Sequence, residues 1–225
     1  MLKLIETQDG SKSIFSEQFG VSYHSKYGAL QESRHVFIES GLFYKAIIQK
    51  QLKVLDIGFG TGLNAFLTYQ ESIRLGLKVH YTTIEAFPVE DTLVADLGYP
   101  NLLQAGEQGA VFYEMHQNNW GTAIPLGENF TFVKLLGKFE EVDLPTDFDL
   151  VYYDAFAPNA QPELWEVPMM QKMFDALRPG GVLVTYCAKG AFRRILKAVG
   201  FEVETLQGPP GKREMTRATK PEAAK

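Results

Sequence analysis

The sequence predicts an α/β domain whose mostly parallel, seven-stranded sheet is covered by helices on both faces. Apolar runs of strand length alternate with helical patterns from residue 52 onward, an order that places consecutive strands parallel in one sheet. The last two runs flank the stretch GPPG at 208–211, which predicts a closing antiparallel hairpin. With 225 residues, 45% of them hydrophobic, the chain is long enough to bury a core on both faces of such a sheet.

Each element follows from a local pattern. The seven strands of the sheet are expected at 52–58, 79–86, 129–136, 147–155, 181–187 and in the two arms of the hairpin around 208–211. A further short strand is expected at 2–7, and helices at 27–50 with a break at Ser40-Gly41, from Leu63 onward, at about 168–178 and at 190–199. The chain is therefore divided into an N-terminal extension packed on the domain (1–50), the α/β domain (51–219) and a disordered tail (220–225).

Composition excludes several classes of protein. No run approaches the roughly 18 consecutive apolar residues that a membrane-spanning helix needs, and the acidic N-terminus lacks the apolar core of a secretory signal. Cys187 is the single cysteine, so no internal disulfide can form, and we expect a cytoplasmic protein without membrane contact. The four histidines show no metal-ligand spacing, and we expect no metal site. They are His24, His35, His80 and His116.

The charge of the chain is unevenly distributed. The net charge is −5, but residues 1–188 carry 13 Lys+Arg against 23 Asp+Glu, whereas residues 189–225 carry 9 against 4. A basic end on an acidic body is either a docking surface for a polyanion or an ordinary solvated surface. Arg34 lies on the apolar stripe of the helix at 27–50, so it is either a rim residue or faces a charged partner.

The stretch VLDIGFGTGLN has the composition of a nucleotide-binding loop. Gly58, Gly60 and Gly62 follow a strand and open a helix, the setting of the dinucleotide fingerprint G-x-G-x-x-G/A. Leu63, however, occupies the place where that fingerprint has a small residue. Asp56, two residues before the first glycine, would repel a pyrophosphate and would suit a ligand with a cationic amine. S-adenosylmethionine carries such an amine, a sulfonium and no phosphate, and the loop favours it over a dinucleotide.

Two acids at the ends of other predicted strands add to this site. Glu85 ends the strand after the glycine loop, where a carboxylate can accept both hydroxyls of a ribose. Asp154 ends the fourth strand, at the sheet edge where open α/β proteins bind ligands. Phe156 and Pro158 follow in a stiff loop that can wall a flat substrate. A carboxylate here can orient an amine and help remove its proton, which favours methyl transfer to nitrogen, although either acid could instead be a capping or solvated residue.

Five stretches of the chain resemble the methyltransferase domain of the MnmC family, bacterial enzymes that complete the 5-methylaminomethyl group on the wobble uridine of certain tRNAs. The stretches are YGALQESRHVFIESGL, GFGTGLN, IEAFPV, YDAFAPNAQPELW and GKREM, and the match extends over most of the chain. The resemblance implies a Rossmann-like, class I S-adenosylmethionine-dependent methyltransferase fold. It also implies conversion of 5-aminomethyl-(2-thio)uridine to 5-methylaminomethyl-(2-thio)uridine in the anticodon stem-loop.

The resemblance, with the residues discussed above, implies roles for individual side chains. Asp154 would be the catalytic residue, facing the aminomethyl nitrogen. The donor would be held by Asp56, Gly58, Phe59, Gly60, Gly62, Asn64, Glu85, Ala86 and Asp154. The substrate side would comprise Phe156, Pro158, Arg193, Arg194, Lys212 and Arg213, with the basic members toward tRNA.

Two departures from the family pattern matter. After the third strand such enzymes commonly carry a Gly-Asp pair whose acid lies near the adenine amine, but this chain has Gly137-Lys138. Glu140 or Glu141 is the alternative acid. Many relatives also carry a flavin-dependent oxidase domain, for which we expect no counterpart here and therefore no FAD. The sequence does not indicate an oligomeric state.

Three alternatives stay open on the sequence. An aminopropyltransferase of the polyamine-synthase type shares the fold, the donor loop and the fourth-strand acid, although a basic C-terminal end suits a polyamine poorly. A noncatalytic RNA-binding or scaffold protein of the same fold would have lost the site, whereas the glycine loop, Glu85 and Asp154 are intact. A dinucleotide-dependent oxidoreductase is disfavoured by Leu63.

Overall fold

The structure, a computed structural model, describes residues 1–222. In this part of the chain, eight strands form one mixed sheet and three form a smaller one. The strands are β1 (Leu2–Glu6), β2 (Lys12–Ser16), β3 (Val21–Ser22), β4 (Gln51–Ile57), β5 (Lys78–Glu85), β6 (Ile124–Pro125), β7 (Phe130–Leu136), β8 (Phe148–Tyr153), β9 (Leu177–Thr185), β10 (Glu202–Gln207) and β11 (Glu214–Thr219). The large sheet has the order β10-β11-β9-β8-β4-β5-β7-β6, and β1-β2-β3 form the small sheet.

Eight α-helices lie between the strands of the described residues, and α1 and α2 precede the first strand of the large sheet. They are α1 (Ala29–Ser33), α2 (Tyr44–Ile48), α3 (Leu63–Leu75), α4 (Asp91–Leu97), α5 (Tyr99–Leu102), α6 (Gly109–Gln117), α7 (Val167–Ala176) and α8 (Gly190–Val199). A π-helical segment, Arg34–Phe43, joins α1 to α2, and two 3-10 turns occur at Gly106–Gln108 and Pro162–Trp165. Among residues 1–222, no helix combines the length and the apolar character needed to cross a bilayer.

The expected sheet, mostly parallel with a closing antiparallel hairpin, is confirmed. Strands β9, β8, β4, β5 and β7 are parallel neighbours, and β11 and β10 complete the sheet as a hairpin. The expected count of seven strands is one too low for the described residues, because β6 pairs antiparallel with β7 at the edge. A two-residue strand that contains a proline leaves no alternation in the sequence, so it could not be predicted.

The helical region of the N-terminal extension is continuous, and the expected break at Ser40-Gly41 is wrong. The chain stays helical from α1 through the π-helical segment to the end of α2. A Cβ at Gly41 would lie only 3.0 Å from a methyl group of Val184, so the glycine lets this segment pack closely on β9. A glycine at a close helix–sheet contact and a glycine at a helix break look alike in a sequence.

The core is divided by the large sheet into two layers. Along β4 and β8, successive residues alternate between the faces: Val54 and Leu150 pack on one side, and Leu55 and Val151 on the other. All four side chains are fully buried, as expected for parallel strands covered on both faces. Helix α3 and the N-terminal helices cover the first face, and α7 and α8 cover the second.

The C-terminal segment is tied to the domain through Lys220. Its Nζ donates hydrogen bonds to the carbonyl oxygens of Phe174 and Leu177 at 2.7 and 2.6 Å. The first residue of the expected disordered tail is therefore anchored, and residues 223–225 of that tail lie outside the described residues.

The packing predicts a large loss of stability for Phe37→Ala. Phe37 is 1% exposed and its ring centroid lies 5.2 Å from that of Tyr152 on β8, so the truncation would leave a cavity between the π-helical segment and the sheet. We expect the free energy of unfolding to fall by about 3–5 kcal/mol in urea denaturation. Ile47→Ala, at a position 85% exposed, should change it by less than about 0.5 kcal/mol. Equal losses in the two variants would contradict this description of the core.

Candidate active site

A cavity of about 250 Å³ opens at the carboxyl edge of the large sheet. It lies beside β4, where the strand order continues to β5 on one side and to β8 on the other, the position at which open α/β sheets bind ligands. Its walls come from the loops after β4, β5, β7 and β8 and from the small N-terminal sheet. The predicted site residues that line it are Gly58, Phe59, Gly60, Asn64, Glu85, Ala86, Asp154 and Phe156.

The glycine loop turns sharply from β4 into α3, and its backbone requires glycine. Gly58, Gly60 and Gly62 have φ angles of 99°, 52° and 75°, in the left-handed region that other residues rarely adopt. A Cβ would also lie 3.2 Å from the carbonyl oxygen of Asp154 at Gly58 and 3.0 Å from the ring of Tyr23 at Gly60. The loop therefore presents bare backbone to the cavity, whereas Gly62 caps α3 outside the cavity lining.

The carboxylate of Glu85 links the glycine loop to the end of β5. Its Oε2 accepts a hydrogen bond from the backbone N–H of Gly60 at 2.8 Å, and its Oε1 accepts one from Phe87 at 2.7 Å. Burial raises the pKa of Glu85, and these backbone donors act in the opposite direction. A carboxylate offers about four acceptor positions, so acceptor capacity remains for a ligand in the cavity.

Asp154 presents a second carboxyl group to the cavity, next to the start of α3. The side-chain amide of Asn64 donates to its Oδ2 at 2.9 Å. Burial, followed by the nearby acids Glu32 and Asp56, raises the pKa of Asp154 well above its usual range, and Asn64 and Lys212 oppose this shift. The group therefore has an unusually high affinity for a proton, a property that suits acid–base chemistry.

The loop after β8 is held rigidly on both sides of Phe156. The indole N–H of Trp165 donates to the carbonyl oxygen of Phe156 at 2.8 Å. The hydroxyl of Tyr186 donates to the carbonyl oxygen of Ala155, also at 2.8 Å. Phe156 thereby forms a fixed wall of the cavity. Pro158 lies farther along the loop, outside the cavity lining, where it can shape the loop but does not face a ligand.

Asp56 lies beneath the cavity and does not reach its surface. The side chain is fully buried, and its Oδ2 accepts hydrogen bonds from the hydroxyls of Tyr81 and Thr83 at 2.8 and 3.4 Å. Burial raises the pKa of Asp56 to about 8, against the effect of these two donors. The expected direct contact with a ligand therefore does not fit its position, since strand β4 points this side chain into the core below the loop.

The four basic residues predicted to lie toward tRNA fall into two pairs. Arg193 forms an ion pair with Glu214 at 2.8 Å, and Lys212 forms one with the buried Glu32. Arg194 and Arg213 are exposed to solvent. Of these four, the second pair is free to meet a partner, because the first holds the hairpin against the rest of the domain.

Lys212 and Arg34 each form an ion pair with a buried acid, Glu32 and Glu71 respectively. The Nζ of Lys212 lies 3.9 Å from the ring centroid of Tyr186, and Glu32 also accepts the backbone N–H of Ser25 at 2.7 Å. Arg34 is 3.6 Å from Glu71, so it faces a charged partner rather than the cavity.

The loop after β7 distinguishes between the two alternative acids. Glu140 lines the cavity together with Lys138, whereas Glu141 forms an ion pair with Lys138 at 3.8 Å and does not line it. Of the two, Glu140 is therefore the acid that can face a ligand.

Three cavity residues of the N-terminal extension were not predicted from the sequence: Phe19, Tyr23 and His24. Burial lowers the pKa of His24 to about 4, so this histidine is neutral at pH 7. The aromatic residues in FGVSYHS were the available signal, but the strand they flank, β3, has two residues and was not predicted.

Comparisons with known proteins agree with the geometry of the cavity. A family model described as S-adenosyl-L-methionine-dependent methyltransferase matches residues 126–221. The tRNA 5-methylaminomethyl-2-thiouridine biosynthesis bifunctional protein MnmC of Cupriavidus necator is 32% identical over 220 residues, 91% of this chain and 32% of that protein. The protein of the same name from Chromobacterium violaceum is 29% identical over 96% of this chain and 34% of its own length. The chain thus spans about a third of these relatives.

A solved structure supports the same relationship. The crystal structure of MNMC2 from Aquifex aeolicus has a TM-score of 0.76 to this chain and is 25% identical, covering 100% of this chain and 72% of that one. By sequence and by structure, the chain is therefore similar to S-adenosyl-L-methionine-dependent methyltransferases and to about a third of the MnmC proteins.

Proposed function

We propose that the protein transfers a methyl group from S-adenosylmethionine to the amine of 5-aminomethyl-(2-thio)uridine at the wobble position of tRNA. The observation that carries the proposal is that one cavity contains a glycine loop with Glu85 at its base and, beside them, the carboxyl group of Asp154. The glycine loop with Glu85 suits the donor, and Asp154 suits an amine acceptor. The names of the MnmC relatives refer to 5-methylaminomethyl-2-thiouridine biosynthesis in tRNA and supply the substrate.

Three acceptor groups of the cavity fit S-adenosylmethionine. The free acceptor positions of Glu85 suit the two hydroxyls of a ribose. The Oδ1 of Asn64 is buried with no hydrogen-bond partner in the described part of the chain, and it suits the ammonium group of the donor. Glu140 suits the exocyclic amine of adenine, in the role that the family pattern gives to an acid at the position of Lys138. When bound, the donor would supply an electrophilic methyl group.

The remaining donor-site residues contribute shape rather than charge. Gly58 and Gly60 let the backbone approach the donor, and the ring of Phe59 and the backbone of Ala86 form apolar parts of the wall. Gly62 starts α3, and Asp56 supports the loop from below, so neither is assigned a direct contact.

Asp154 is proposed as the catalytic residue. An alkyl amine has a pKa of about 10, near that of lysine, and only its neutral form is nucleophilic. The raised pKa of Asp154 brings the proton affinity of its carboxylate closer to that of the amine, which favours proton transfer between them. Asn64 holds one oxygen of Asp154 and leaves the other for the amine, while Phe156 walls the uracil ring.

The tRNA would approach the cavity edge of the sheet. Arg194 lies in the second turn of α8 and Arg213 in the turn between β10 and β11, and both elements begin or turn at the carboxyl edge of the large sheet. Their exposed charges suit the phosphates of an anticodon stem-loop. The wobble base would leave its stack to enter the cavity.

The decisive experiment uses tRNA from cells blocked at the aminomethyl stage. The protein is incubated with this tRNA and methyl-labelled S-adenosylmethionine, and the nucleosides are separated after digestion. Label in 5-methylaminomethyl uridine is the expected result. Donor binding without label in the tRNA would reject the substrate, and label in putrescine or another polyamine would favour a small amine instead.

The first prediction of the proposed function concerns Asp154→Asn. Loss of the carboxylate should lower kcat for tRNA methylation by about 10²-fold or more, since a positioned acid–base group contributes this much. Binding of S-adenosylhomocysteine, measured by calorimetry, should stay within about twofold of the unsubstituted protein. The matched control is Asp147→Asn, which changes an exposed acid just before the amino end of β8 and should leave kcat unchanged. Equal kcat values in the two variants would refute the role.

The second prediction is a pH dependence. Asp154 must be ionised to accept a proton, so its raised pKa means that activity falls as pH decreases through that pKa and rises with increasing pH. The acidic limb of kcat/KM should lie well above the pKa of an ordinary aspartic acid, about 3.9. The limb should be absent in Asp154→Asn. If the substituted enzyme keeps the same limb, the titrating group is the substrate amine and not this carboxyl.

The third prediction concerns the basic edge. The double variant Arg194→Glu, Arg213→Glu should bind tRNA more weakly and lower the slope of log Kd against log salt by about 1 to 2 units. The control, Lys50→Glu with Lys78→Glu, makes the same charge change at exposed residues near the amino ends of β4 and β5. If both double variants weaken binding equally, the effect is one of net charge and no basic docking edge exists.

A further inference from the structure

The small N-terminal sheet forms part of the cavity wall, and its side chains have no role in the function proposed above. Phe19 lies in the turn between β2 and β3, and Tyr23 follows β3 directly. The ring centroid of Phe19 is 5.4 Å from that of Phe87, after β5, and 4.9 Å from that of Phe156, after β8. The aromatic side chains of this sheet thus bridge the donor side and the substrate side of the cavity.

Tyr23 contacts both sides with one ring. A Cβ on Gly60 would lie 3.0 Å from Cδ1 of Tyr23, so the ring packs on the bare backbone of the glycine loop. The same ring meets Phe156 edge to face, with centroids 4.9 Å apart. Because the loop that carries Phe156 is held by Trp165, this contact joins two rigid segments.

The hydroxyl group of Tyr23 is available for a ligand. It forms no hydrogen bond with any residue in the range 1–222, although the side chain lines the cavity. Burial, followed by the charge of Glu85, raises the pKa of Tyr23, so the hydroxyl stays protonated and can donate at neutral pH. The ring packs on Gly60, whose backbone N–H donates to Glu85, so Tyr23 lies on the side of the cavity that suits the ribose.

The backbone around Tyr23 is fixed. Its N–H donates to the carbonyl oxygen of Ile14 on β2 at 2.8 Å. The next residue, His24, donates its N–H to Ser13 Oγ at 3.2 Å, and its Nδ1 lies 3.0 Å from the same oxygen. Tyr23 is thus held in the small sheet independently of the loops that it touches.

We propose that Tyr23 binds the donor and couples it to the acceptor loop: its hydroxyl donates to a ribose oxygen that Glu85 also contacts, and its ring holds Phe156 in place. This inference rests on the proposed use of S-adenosylmethionine. It makes the N-terminal extension, residues 1–50, part of the reaction site. The extension and the α/β domain, residues 51–219, then form one functional unit.

The hydroxyl is tested by binding of S-adenosylhomocysteine in calorimetry. Tyr23→Phe keeps the ring and removes one hydrogen bond, so Kd should rise about 3- to 10-fold. In donor titrations of the methylation rate, KM for S-adenosylmethionine should rise similarly with kcat nearly unchanged. Tyr27→Phe removes a hydroxyl from a nearby exposed tyrosine outside the cavity and should change neither value. Equal Kd values in the two variants overturn the inference, whereas failure of the unsubstituted protein to bind rejects the proposed function itself.

The coupling is tested by the fluorescence of Trp165, which bonds to the Phe156 carbonyl. In a Trp120→Phe protein, Trp165 is the single tryptophan. Adding S-adenosylhomocysteine should change its emission in this protein and in the Tyr23→Phe derivative, which keeps the ring. At saturating ligand, the change should be lost in a Tyr23→Ala derivative whose circular dichroism shows a folded protein. The coupling is overturned if the emission still changes in the Tyr23→Ala derivative. It is also overturned if the emission does not change in the Trp120→Phe protein.

Discussion

The carboxylate of Glu85 holds the glycine loop against the end of β5, and the shape of the cavity depends on this contact. The loop contains three glycines in left-handed conformations, and such a backbone loses much entropy when it is ordered. Two hydrogen bonds, from Gly60 and Phe87, compensate the buried charge and fix the loop at the same time. The parallel register of β4 and β5, which pairs Ile57 with Ile84, brings the two ends together.

Acidic groups beneath the cavity and basic groups outside it give the site two electrostatic zones. Burial, followed by the charges of Glu32 and Asp56, raises the pKa of Asp154. Lys212 reaches in from the closing hairpin and forms an ion pair with Glu32, so the hairpin limits the negative charge around Asp154. An acidic interior suits a cationic donor and an amine, while the exposed arginines at the rim suit phosphates.

The N-terminal extension belongs to this arrangement. Its helical region packs closely on β9 through Gly41, and its small sheet places Tyr23 over the glycine loop. Glu32, which receives Lys212, lies in α1, so the extension and the hairpin also meet through a buried ion pair. A chain division at residue 50 is therefore a division of secondary structure and not of the cavity, whose wall continues across it.

The sequence by itself determined the parallel sheet, its closing hairpin, and the strand ends that carry the glycine loop, Glu85 and Asp154. These features follow from local periodicity and from the rule that the carboxyl ends of parallel strands share one edge. Tertiary structure decided which side chains reach the cavity. Asp56 and Glu85 face the same side of the sheet, since the register pairs Asp56 with Thr83, two residues before Glu85. Asp56 is the penultimate residue of β4 and lies in the core beneath the glycine loop, whereas Glu85 ends β5 and lines the cavity. The partners of Lys212 and the contacts of Tyr23 join residues far apart in the chain, and no local pattern encodes such distances.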